Sequence, residues 1–71
     1  MTKLEKETYD GVQAALLNSQ IDPKMAVFLA LRVVAEFAVG EDVISDDPSY
    51  DGEHSFIELA KKAWASREPP P

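Results

Sequence analysis

Apolar residues divide the chain into three stretches with helical spacing. In the first, Leu4, Thr8, Val12, Ala15 and Leu16 recur every three to four residues, with Tyr9 beside them. Thr2-x-x-Glu5 has the capping-box spacing, in which each side chain satisfies the other residue's backbone N–H. A helix is therefore predicted from about Lys3 to Asn18. Gly11 lies inside it, costing about 1 kcal/mol relative to alanine unless another backbone approaches there. In the second stretch, Asp22-Pro23 is a start signal and Gly40 a stop signal, framing a helix over Pro23–Val39. Between Met25 and Val39 only Arg32 and Glu36 are not apolar. A rotation of about 100° per residue gathers Met25, Arg32 and Glu36 into a sector of roughly 40°. The rest of the circumference is lined by Val27, Phe28, Leu29, Leu31, Val33, Val34, Phe37 and Val39. Arg32 and Glu36 are an i,i+4 pair that can neutralise each other. The third stretch, Phe56 to about Ser66, repeats the capping spacing at Ser55-x-x-Glu58 and offers Phe56, Ile57, Leu59, Ala60, Ala63 and Trp64 as its apolar face. Trp64 is expected in the core.

With no strand pattern and no internal repeat, the expected fold is all-α. It is a three-helix small domain over 1–68, followed by a solvated proline tail at 69–71. Its central helix, 23–39, is nearly fully apolar. Two amphipathic neighbours each present a stripe of about 100°, so together they cover about 200° of that helix and leave roughly 50–80° in water. A contiguous apolar strip of that kind marks an interface. Homodimerisation through Val27, Leu31, Val34 and Phe37 is expected to complete the domain. In the opposing reading Val43 and Ile44 fold back as a lid and complete a monomer.

Composition narrows the choices. A chain of 71 residues buries only about 60% of its unfolded surface, and such chains usually need a staple. The absence of cysteine excludes disulfides and thiolate metal sites. The first residues have no apolar signal region, and the run 25–39 is too short and too charged to span a membrane, so a cytoplasmic protein is expected.

The placement of the net charge of −6 matters more than its size. Lys3 and Lys6 nearly balance Glu5, Glu7 and Asp10, and residues 22–40 are neutral. Residues 41–53 carry Glu41, Asp42, Asp46, Asp47, Asp51 and Glu53 with no base, which equals the charge of the whole chain. Nucleic acid and anionic membranes need a basic face and are disfavoured as partners. A basic protein surface suits this loop, met by Glu41, Asp42, Asp46, Asp47, Tyr50 and Asp51.

The same loop admits a cation. In the run from Asp47 to Glu58, oxygen donors fall at positions 1, 3 and 5 (Asp47, Ser49, Asp51), glycine at 6 and glutamate at 12. This resembles an EF-hand calcium loop, with exit into its second helix. The resemblance implies Ca2+ held by Asp47, Ser49, Asp51, Glu53 and Glu58. It departs from the pattern at position 8, where His54 replaces an apolar residue, at Pro48, and in the lack of a second acidic loop to pair with. His54, the only histidine, could join carboxylates around zinc or manganese, but is read first as a surface residue at a helix start.

Nothing supports catalysis: there is no thiol, no glycine-rich phosphate loop and no serine in a strand–turn–helix context. The expected class is a small acidic helical protein-binding module, an inhibitor, adaptor or accessory subunit, that self-associates and presents 41–53 to a basic partner. The alternatives are the calcium-loop protein and an oligomer whose apolar seam encloses a small molecule.

Overall fold

The structure, a computed structural model, describes residues 1–67, and the expected tail at 69–71 lies outside the described residues. The fold is all-α, with α1 (Lys3–Leu17), α2 (Pro23–Gly40) and α3 (Gly52–Ser66) and no strand among the described residues. The chain divides into two compact units, Met1–Val34 and Ala35–Pro71, with the boundary inside α2.

In the first unit the sequence signals act as expected. Thr2 Oγ1 accepts from the Glu5 backbone N–H at 3.1 Å while Glu5 Oε1 accepts from that of Thr2 at 3.4 Å, closing the capping box. An exposed Lys6–Asp10 pair at 2.9 Å supports the helix surface, worth a few tenths of a kcal/mol. The α1 ladder ends at Asn18, and Gln20 takes a left-handed φ of 59° to turn the chain. Asp22 caps α2, its carboxylate accepting from the backbone N–H groups of Lys24 and Met25 at 3.1 and 3.2 Å. Pro23 follows at the first helical position, where a missing N–H costs nothing. Ala26 is buried, with Ala30 and Ser19 half-buried.

The second unit departs from expectation at both of its helix ends. Gly40 does not stop α2 but lies within it. The stop is a Schellman turn two residues on: Asp42 takes φ 56°, its N–H donates to Val39 O at 3.2 Å, and the Val43 N–H reaches back to Ala38 O at 2.8 Å. Aspartate tolerates the left-handed region far better than a branched residue does.

The third helix starts four residues earlier than the spacing indicated. Asp51, not Ser55, is the N-cap, accepting from the His54 N–H at 3.0 Å. Ser55 Oγ is instead 2.6 Å from the Tyr50 hydroxyl. Gly52 makes the early start possible. A Cβ there would stand 2.8 Å from Ser45 O and 3.1 Å from Ile44 Cγ2, closer than a real side chain sits.

Burial is sparse. Ala26, Ala38 and Ile44 are the buried apolar residues among those described. The lid is half realised: Ile44 folds in, but Val43 is exposed and the apolar surface of α2 stays open. Trp64 is not core. It is 69% exposed, with the Arg67 guanidinium 3.9 Å from its ring centroid, a cation–π contact rather than a packed interior position.

Candidate functional site

Two surfaces follow from these elements, one in each unit. In the second unit, the connection from Glu41 to Asp51 joins α2 to α3 and carries the acidic cluster. Its first part is fixed by the Schellman turn, which contains Glu41 and Asp42. Its middle is fixed by Asp47: the carboxylate accepts from the Ser49 backbone N–H at 2.8 Å and from the Ser49 hydroxyl at 2.7 Å, and the Asp47 N–H donates to Ser45 Oγ at 3.1 Å. The two Ser49 donors, the backbone first, hold the Asp47 carboxyl below its ordinary value, slightly opposed by burial. Its end is fixed by the Asp51 cap and by the Tyr50–Ser55 contact. A shallow pocket of about 420 Å³ opens here, with Ala35, Val39, Ile44 and Phe56 among its apolar walls and Asp46, Asp47 and Glu53 among its polar ones.

Of the residues assigned to a basic partner, Asp46, Asp47 and Tyr50 line that pocket, while Glu41, Asp42 and Asp51 do not. All six are exposed. Two of the carboxylates, Asp47 and Asp51, hold the loop's own backbone as well as facing water.

The calcium donor set is not brought together. Because α3 begins at Gly52, the residues that an EF-hand would wrap around its ion are already helical. Glu58 therefore stands about 9 Å further along the axis than Gly52 and pairs with Lys61 at 3.5 Å. Asp51 is occupied as a cap and Asp47 with Ser49. Among the described residues no three histidine, aspartate or glutamate side chains converge as metal ligands. His54 lies exposed in the first turn of α3.

In the first unit, an apolar groove of about 360 Å³ runs between α1 and α2. It is lined by Val12, Ala15 and Leu16 from α1, Ser19 and Ile21 from the turn, and Ala26, Leu29, Ala30, Val33 and Val34 from α2. Of the four residues assigned to self-association, all are exposed, but only Val34 lies in this groove; Val27, Leu31 and Phe37 do not line it. The sequence reading missed Val12, Leu16, Leu29 and Val33. The signal was present in the spacing 26, 29, 30, 33, 34, a single unbroken apolar face. It was masked because α2 is apolar on nearly every side, so no face stands out by contrast.

Among the described residues no helix is long and apolar enough to cross a membrane. Comparison of the chain with known protein families, with curated proteins and with solved structures finds no match.

Proposed function

We propose that this protein is a small acidic helical contact module: it self-associates through the apolar surface of α1 and α2 and presents the acidic connection 41–53 to a basic protein surface. An inhibitor, adaptor or accessory subunit works in this way, by occupying a surface rather than by chemistry. The observation that carries the reading is the exposed apolar surface. Twenty large apolar side chains are exposed among the described residues, against buried Ala26, Ala38 and Ile44. Surface of that kind is kept where another protein covers it. The charge supports the second half of the reading, because a loop of one sign accelerates encounter with an oppositely charged partner and discriminates against others.

The test is association with an immobilised lysine-rich peptide over a salt series. Neutralising Asp46 and Asp47 to asparagine should slow association and flatten its salt dependence. The same change of charge made on α1, at Glu7 and Asp10, should leave the rate close to that of the parent chain. Equal effects from the two pairs would mean that net charge, not this loop, governs the encounter, and the loop would lose its assigned role.

A further inference from the structure

The groove of the first unit has the composition of half a bundle core. Val12, Leu16, Leu29, Val33 and Val34 line it, Ser19 is its one polar wall, and no charged residue takes part. On α2 its residues span an arc of about 140°, and Lys24, Arg32 and Glu36 all fall outside that arc. We infer that a second copy of the chain fills this groove, two 1–34 hairpins closing groove to groove about a twofold axis into a four-helix bundle. The inference rests on the self-association proposed above and names its seam.

Two observations select a second copy as the occupant. The first is the open wall: Val12, Leu16, Ile21, Leu29, Val33 and Val34 all line the groove and are exposed, a contiguous apolar surface within the 1–34 unit of the kind that an isologous contact covers. The second is charge. Residues 1–34 carry Lys3, Lys6, Lys24 and Arg32 against Glu5, Glu7, Asp10 and Asp22, and are neutral. The net charge of −6 therefore lies entirely in residues 35–71. Two copies of the neutral unit can approach without the self-repulsion that the acidic unit would impose, and an uncharged apolar groove is complementary to its own copy.

The experiment is sedimentation of the full chain from low to high micromolar concentration, with single glutamate substitutions on four positions of α2. Leu29→Glu and Val33→Glu should each weaken dimerisation roughly 30-fold or more, as charge placed at the centre of a seam does. Val27→Glu and Leu31→Glu, which lie off the groove, should dimerise like the parent. A parent chain that stays monomeric at high micromolar concentration would overturn both the inference and the self-association it rests on. A dimer that survives Leu29→Glu and Val33→Glu but is lost in Val27→Glu or Leu31→Glu would overturn the groove alone. If a groove variant loses its helical circular dichroism, the parent decides the matter: its amide resonances at Val12, Leu16, Leu29 and Val33 should move with concentration, and their constancy through dimerisation would overturn the groove.

Discussion

The two units solve the problem of a short chain in different ways. The second unit has a tie at each step. A Schellman turn ends α2, Ile44 is buried, Gly52 lets α3 start against Ser45, and Asp51 caps that helix. The first unit has well-made helix ends but only Ala26 buried, and an apolar groove left open beside it. Its helix starts are capped while its burial is sparse. Good caps make helices; they do not cover apolar surface, and most of a helix's stability in a protein comes from packing. The net charge divides along the same line: the first unit is neutral and the second carries the −6. The unit that lacks a core is thus the one electrostatically free to borrow one.

The largest effect that would break this contrast comes from Ile44→Ala. Among the described residues Ile44 is the one large apolar side chain that is buried, at 5% exposure, and truncating such a residue costs about 2–4 kcal/mol. Urea unfolding should show that loss at any protein concentration. Val33 is 64% exposed, so Val33→Ala should cost below about 0.5 kcal/mol in dilute solution, with a loss that grows as concentration rises. Equal, concentration-independent losses would mean that the groove is already filled within one chain.

Two glycines sharpen the contrast with smaller effects of opposite sign. Gly52→Ala places a methyl 2.8 Å from Ser45 O. The backbone must shift, and a loss of about 1–2 kcal/mol is expected even though alanine is the better helix former. Gly11 has nothing within 4 Å of its would-be Cβ and an ordinary φ. Gly11→Ala should therefore stabilise the fold by about 0.5–1 kcal/mol in dilute solution, read as a higher midpoint of thermal unfolding. A gain that reverses at high concentration would place the second copy's backbone directly over Gly11.

These positions also mark what could be read from the sequence. The helices and their order were legible, because Thr2-x-x-Glu5 and Asp22-Pro23 are local signals whose partners lie within three residues. The start of α3 was misplaced because Ser55-x-x-Glu58 and Asp51 both offer plausible caps. What decides between them is the room beside Gly52, which depends on where Ser45 lies. The end of α2 was misplaced for the converse reason: glycine is the usual left-handed residue, yet Asp42 takes that conformation and Gly40 stays helical. The acidic connection was legible as a charge cluster, but not as a set of caps and turns. Its calcium-like spacing is a one-dimensional match that an early helix start pulls apart. The groove was the least legible feature, since the apolar arc of α2 shows excess without showing which part α1 covers.

The smallest expected effect concerns the connection itself and separates its internal role from its external one. Asp47 has its carboxyl held below the ordinary value of 3.8 by the two Ser49 donors. A depressed carboxylate contributes stability that is fully present above its unfolded value, and that contribution is lost as the pH falls through the folded value. The order of the loop around Asp47 should therefore persist down to mildly acid solution and give way only below 3.8. Carboxyl NMR titration should show Asp47 protonating at lower pH than the free side chain, with the Ser49 amide moving in step. In the Ser49→Ala variant the backbone N–H donor remains and the hydroxyl is lost, so the Asp47 midpoint should rise part of the way back. A full return would mean that the hydroxyl alone held the turn, whereas no change would assign it wholly to the backbone. The partial return follows from the geometry, because both donors lie within 3 Å of the same oxygen, at 2.8 and 2.7 Å. A lysine-rich peptide should depress the midpoint further if the connection meets a basic surface, because a nearby positive charge favours the carboxylate form.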